Sequence, residues 1–117
     1  MTTYRDLIAW QKAIDLVARV YSVSGDFPKS EAFGLTSQIR RAAVSIPSNI
    51  AEGHGRHTPA EFKRFLMIAL GSTREVETQV IIAGKLQFAD RDELIELLHQ
   101  TEEVAKLLNG LLRSRGK

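Results

Sequence analysis

The chain of 117 residues has no cysteine, only three prolines and no hydrophobic run of the about 20 residues that a membrane-spanning helix requires. Without cysteine, a disulfide framework, a thiolate metal site and a cysteine nucleophile are excluded. The first residues also lack the basic and then apolar segments of a secretion signal. We therefore expect a cytoplasmic protein, and its length predicts that residues 1–117 form a single domain.

Segments of alternating β-branched residues, which would predict strands, are missing as well. Apolar residues instead recur every three or four positions, the spacing of one helix face, over about residues 7–23, 35–52, 59–86 and 91–113. Breaks are predicted at residues 25–30, 53–58 and 87–90. Short connections favour antiparallel neighbours, so the sequence predicts an all-α, up-down-up-down four-helix bundle.

Local signals define several helix ends. Thr58, Pro59 and Glu61 form an N-cap pattern before helix 3, and Asp90 with Glu93 forms another before helix 4. The stretch around residues 65–70 is apolar on all sides, which predicts that helix 3 is the central helix.

Proline and glycine give two further expectations for helix 2. Pro47 lies inside the helix, where it removes a backbone donor and should cause a bend. Gly53 and Gly55 should end the helix, since glycine tolerates a left-handed closing conformation.

Helix 1 carries two neighbouring apolar rows, whereas one row suffices for a helix in an isolated bundle. If one row is buried in the bundle, much of the other faces solvent, which is typical of an interface. The sequence therefore predicts a homo-oligomer. The first row is Leu7, Trp10, Ile14, Val17 and Tyr21, and the second is Ala9, Ala13, Leu16, Val20 and Val23.

Charge is distributed unevenly, although the formal net charge is only +2. Residues 37–74 carry six bases against two acids, and residues 75–109 carry eight acids against three bases. Such a basic segment suggests a surface for RNA or DNA, although pairing with an acidic helix inside the bundle would give the same pattern. The candidate nucleic-acid-binding residues are Arg40, Arg41, Arg56, Lys63, Arg64 and Arg74.

A polar row along helix 2 should face a polar row on helix 3. The structural interpretation pairs Arg41 with Glu75, or Arg40 with Glu77, and lets the serines bond carbonyls freed by Pro47. The functional interpretation leaves the arginines free for phosphate. The predicted polar network consists of Gln38, Arg41, Ser45, Asn49, Glu52, Glu75 and Glu77.

Patterns for catalysis or metal binding are weak. His54 and His57 lie near Glu52 and Glu61 but lack an evident third ligand, so no metal site is predicted. The loop at residues 53–56 could hold an anion at the start of helix 3, or simply turn the chain. No nucleophile with a base, carboxylate pair or cofactor loop is recognisable, so we expect a non-enzymatic protein without cofactor or small-molecule substrate.

Four segments are together typical of one protein family. They are Asp6-Leu7 with Trp10-Gln11-Lys12-Ala13, Phe27-Pro28, residues 37–56, and residues 65–72 followed by Glu75 and Glu77. The most specific piece is Ser45-Ile46-Pro47-Ser48-Asn49-Ile50-Ala51-Glu52-Gly53. On these residues, the chain resembles the bacterial four-helix bundle proteins encoded by intervening sequences within 23S rRNA genes. It is also similar to the accessory proteins of diversity-generating retroelements.

The resemblance implies a four-helix bundle, a homopentamer and a role in nucleic-acid binding, and it implies no catalytic residues. The chain departs from the family pattern at Tyr4, where phenylalanine is frequent, and at His54, where an aromatic residue is common. Its net charge is also lower than that of strongly basic relatives. The alternative function is a structural or protein-binding scaffold without a nucleic-acid ligand.

Overall fold

Four α-helices account for most of the computed structural model, which describes residues 3–115. They are α1 (Ile8–Ser24), α2 (Leu35–His54), α3 (Pro59–Lys85) and α4 (Arg91–Arg115). One-turn 3₁₀ helices, Tyr4–Asp6 and Lys29–Glu31, precede α1 and α2. The described residues contain no strand, so the predicted all-α class is confirmed.

The helices pack as an antiparallel bundle with a square cross-section. α1 packs against α2 and α4, and α3 packs against the same two helices. The α1–α2 and α3–α4 connections therefore lie at one end, here called the upper end, where the Phe27 and Phe88 rings are 5.8 Å apart. The α2–α3 connection lies at the lower end, with the beginning of α1 and the end of α4.

The core receives one of the two apolar rows of α1. Ala9, Ala13, Leu16, Val20 and Val23 are buried. In the other row, Ile14 is 40% exposed and Tyr21 is 44% exposed. Leu7, Trp10 and Val17 of this row are partly buried against the core. The prediction that much of one row would face solvent is therefore confirmed only for Ile14 and Tyr21.

The helices α2 and α3 approach each other closely at Gly53. A Cβ atom at this position would lie 2.6 Å from Phe65 Cβ and 3.2 Å from Phe62 Cδ1. The expected left-handed closing conformation is wrong, because α2 continues to His54 and Gly55 has a right-handed φ of −79°. Glycine is required at position 53 for packing and not for the chain reversal.

The predicted helix starts are confirmed at two caps. Thr58 Oγ1 accepts from the Glu61 amide at 3.1 Å, and Asp90 Oδ2 accepts from the Glu93 amide at 3.2 Å. A cap that the sequence did not indicate begins α2, where Glu31 Oε1 accepts from the Leu35 amide at 2.9 Å. All three satisfy backbone donors that have no partner within the helix.

Pro47 is buried inside α2, and the helix is continuous across it. The bend predicted at this residue stays a prediction. The expectation that serines satisfy the freed carbonyls is wrong, because the Ser45 hydroxyl bonds Ser72 on α3 at 2.8 Å.

Candidate nucleic-acid interface

The six basic residues predicted to bind nucleic acid do not form one surface. Arg40 and Arg41 lie in the half of α2 that is nearer to the upper end. The other four lie toward the lower end or in the middle of α3, as Arg56, Lys63, Arg64 and Arg74. The two groups therefore have different surroundings.

Arg40 is bound to α1. Its Nε donates to Ser24 Oγ at 2.8 Å, and its Nη2 donates to the Tyr21 carbonyl at 3.3 Å. The guanidinium also lies 4.5 Å from the centre of the Tyr21 ring, within cation–π range. These contacts give Arg40 a structural role between α1 and α2, so it is a poor candidate for phosphate binding.

The predicted ion pair between α2 and α3 is wrong. Within residues 3–115, neither Arg40 nor Arg41 forms a salt bridge with Glu75 or Glu77. Glu77 instead lies 3.5 Å from Arg74 on its own helix. Arg41 is exposed and lines the same open cavity as Glu75, where solvent satisfies both charges without a direct contact.

The two polar rows nevertheless face each other through hydroxyl and amide groups. Ser45 Oγ and Ser72 Oγ are 2.8 Å apart. Asn49 Nδ2 donates to the Ser45 carbonyl at 2.8 Å and to Ser45 Oγ at 2.9 Å. Gln38 lies beside Ser45 along the open cavity, whereas Glu52 bonds Arg56 at the lower end. With Glu77 paired to Arg74 on α3, the predicted network is divided among three places.

Two arginines contact the same aromatic ring near the lower end. The guanidinium carbons of Arg56 and Arg64 lie 4.9 Å and 5.3 Å from the centre of the Phe65 ring. Each arginine also has an acidic neighbour, Glu52 at 2.8 Å and Glu61 at 3.8 Å. These pairs are exposed and weak, so an anionic ligand can compete for both guanidinium groups.

Lys63 and Arg74 lie along a shallow groove between α3 and α4, which we call the basic groove. Its third cation is Arg113 of α4, and no acidic residue is among its described lining residues. The groove has a volume of about 550 Å³. Within residues 3–115, Lys63 and Arg113 form no ion pair, and Arg74 has two acidic partners, the half-buried Glu77 at 3.5 Å and the exposed Glu102 at 4.0 Å. The floor is completed by Met67, Leu70, Gly71, Asn109 and Leu112.

Two amides of the loop after α2 are already occupied and do not point to an anion. The Gly55 amide donates to the carbonyls of Ala51 and Glu52, and the Arg56 amide donates to that of Gly53 at 3.1 Å. His54 and His57 line a neighbouring cavity of about 380 Å³. In the described part of the chain, no group of three or more histidine, aspartate or glutamate side chains could hold a metal ion.

Two features of the surface were missed by sequence reasoning. Arg113 joins Lys63 and Arg74, and the only signal was the basic composition of residues 113–117. The expectation of a central α3 is wrong, because this helix has a solvent-facing apolar side. The large apolar residues exposed on this side are Met67, Ile68, Ile81 and Ile82, together with Leu86 just after the helix.

None of the helices in residues 3–115 is both long and apolar enough to cross a bilayer. A comparison with curated proteins finds no match. A crystal structure of a protein with unknown function from the S23 ribosomal protein family of Bacteroides thetaiotaomicron VPI-5482 superimposes with a TM-score of 0.83. It is 22% identical in sequence, and the match covers 91% of this chain and 96% of that one. At this identity the likeness supports the fold.

The family comparison agrees with the resemblance derived from the sequence segments. The model of the 23S rRNA-intervening sequence proteins matches residues 5–110, which include all four helices apart from the last residues of α4. The chain therefore belongs to the 23S rRNA-intervening sequence protein family.

Proposed function

We propose that the protein is a self-associating, non-enzymatic nucleic-acid-binding protein whose main contact is the basic groove. Lys63, Arg74 and Arg113 bind phosphates there, and Arg56 with Arg64 extends the contact toward the lower end. The observation that carries the proposal is the convergence of three cations from two helices on a groove without acidic lining residues. Phosphate contacts of this kind dominate nucleic-acid affinity.

Single-stranded RNA is the first ligand to test. The matched family takes its name from 23S rRNA intervening sequences, which favours RNA over DNA as the starting point. Unpaired bases stack on arginine guanidinium planes as well as on aromatic rings. Arg56 and Arg64 both lie over the buried Phe65 ring, which holds two exposed guanidinium groups where a base could stack on them.

Self-association is supported by the exposed apolar side chains. Tyr21 and Ile14 of α1 are more than a third exposed, and Ile81 and Met67 of α3 are at least half exposed. Large side chains exposed on two helices are usual for an interface. The number of copies proposed, five, comes from the resemblance alone.

The test is a filter-binding series with a single-stranded RNA at several salt concentrations. The affinity of the wild-type protein should fall steeply with salt, and Lys63→Glu should reduce both the affinity and the slope. The slope should change by about 0.7 for each lost phosphate contact on a single strand. Lys29→Glu at the upper end is the matched control, because it changes the net charge equally at an exposed site.

The same binding series distinguishes nucleic-acid binding from the alternative function, a scaffold without a nucleic-acid ligand. If RNA and DNA fail to bind at low salt while the protein sediments as an oligomer, the scaffold function is correct. If Lys63→Glu and Lys29→Glu weaken binding equally, overall charge and not the basic groove determines the affinity.

A further inference from the structure

Phe33 is an aromatic side chain presented fully to solvent. It is 100% exposed, whereas Phe27 on the same connection is buried at 6%. Its backbone is held by hydrogen bonds on both sides. The Ala32 amide donates to the Lys29 carbonyl at 3.1 Å, and the Leu35 amide donates to Glu31 Oε1 at 2.9 Å. Phe33 is therefore an apolar projection on an ordered turn, and none of residues 3–115 covers it.

An apolar groove of about 400 Å³, the upper groove, lies between the end of α3 and the beginning of α4. Ile81 is 50% exposed and Ile95 is 39% exposed at its walls. A Cβ atom at Gly84, which also lines the groove, would meet only Leu94 Cδ1 at 3.8 Å. The groove is therefore open at Gly84, where a side chain from outside can enter.

The projection and the groove occupy opposite edges of the bundle at the same end. Phe33 belongs to the α1–α2 connection, and the upper groove belongs to the α3–α4 edge of the square. The ring contact between Phe27 and Phe88 places both connections at the same height. One copy thus offers a projection on one side and a receptor on the other, which is the arrangement of a head-to-tail contact.

We propose that Phe33 of one copy inserts into the upper groove of a second copy. This inference rests on the self-association in the proposed function and assigns the surfaces that make it. The charges near the contact are complementary. The connection that carries Phe33 has two acids, Asp26 and Glu31, against one base, Lys29, whereas the charged residues that line the groove are the bases Lys85 and Arg91. Repeating this contact from copy to copy gives a closed ring when the rotation between neighbouring copies is a full turn divided by the number of copies.

Cross-linking can test the contact directly, since the chain has no cysteine of its own. Ala32→Cys and Lys85→Cys place single thiols beside the projection and at the groove while keeping Phe33 and the apolar walls. The two variants, one carrying a size tag, are mixed, unfolded, refolded together and treated with a short bismaleimide. A mixed covalent dimer is expected. Ala18→Cys, exposed on α1, mixed with Lys85→Cys is the matched control and should give none.

A second measurement uses the mass of the protein in solution. Phe33→Ala should weaken self-association at least tenfold without loss of helical circular dichroism, because the side chain is fully exposed in the described bundle. Phe33→Leu should restore part of the self-association. The opposite result is a wild-type oligomer whose mass is the same in Phe33→Ala, with no cross-link between the thiols at positions 32 and 85. That result refutes the proposed contact and leaves self-association intact. A wild-type monomer at every concentration refutes both.

Discussion

The contact between Gly53 and Phe65 predicts opposite effects for the same substitution at two glycines. Gly71→Ala should stabilise the protein, because Gly71 is exposed within α3 and an added Cβ has nothing within 4 Å. The expected gain in the free energy of unfolding is about 1 kcal/mol, the difference in helix propensity between glycine and alanine. Gly53 also lies within a helix, so Gly53→Ala would gain the same stabilisation from helix propensity.

At Gly53 the propensity gain is outweighed by a collision. The added Cβ would lie 2.6 Å from Phe65 Cβ, an atom fixed to the backbone of α3, so relief requires α2 and α3 to separate. Overpacking of this kind costs about 1 to 3 kcal/mol, and a backbone-attached partner places the cost near the top of that range. Gly53→Ala should therefore lower the free energy of unfolding by about 2 kcal/mol after the propensity gain of about 1 kcal/mol.

The assay is urea unfolding followed by circular dichroism, with all variants at one protein concentration so that self-association contributes equally. The free energies of unfolding of the two variants should differ by about 3 kcal/mol. At the usual dependence of the free energy of unfolding on urea concentration, this difference gives well-separated transition midpoints. If Gly53→Ala stabilises the protein as much as Gly71→Ala does, the close approach of α2 and α3 is not present in solution.

Substitutions at three further contacts test them individually. Thr58→Ala should lower the free energy of unfolding by about 1 kcal/mol through loss of the cap to the Glu61 amide, and Thr58→Ser should retain most of it in the same urea assay. Ser45→Ala and Ser72→Ala should show a coupling of about 1 kcal/mol in a double-mutant cycle, whereas additive effects would contradict a direct bond between them. Arg40→Lys should destabilise by about 1 kcal/mol in thermal unfolding, because lysine cannot both bond Ser24 and stack on Tyr21, and an unchanged midpoint would remove Arg40 from its structural role.

Most of the fold could be predicted because its signals are local. The caps at Thr58 and Asp90 and the apolar spacing of the helices lie within a few residues of the ends and faces that they determine. The role of Gly53 could not be predicted, since it depends on which residue of α3 lies opposite. Sequence offers two explanations for a glycine near a helix end, and only the position of Phe65 distinguishes them.

The candidate site was predicted less well because its members are brought together by packing. The basic segment at residues 37–74 was recognisable as a charge pattern, but it does not show that Arg40 contacts α1 while Lys63 faces α4. Arg113 is 50 residues from Lys63 in the chain, and the two line one groove only because α3 and α4 are antiparallel. Which arginine pairs with which glutamate depends on how far each helix is rotated about its own axis. The spacing of the apolar residues predicts that rotation too coarsely to identify the pairs.

The contact between the Phe27 and Phe88 rings has a consequence for local unfolding. The contact joins the α1–α2 connection to the α3–α4 connection at the upper end. Local unfolding of one connection therefore disturbs the other. The amides near both connections should exchange with solvent as one cooperative unit. The lower end has a single connection beside the first turns of α1 and the last turns of α4. Opening should therefore begin at the lower end, and an RNA bound in the basic groove would slow amide exchange most in the part of the bundle that opens most readily.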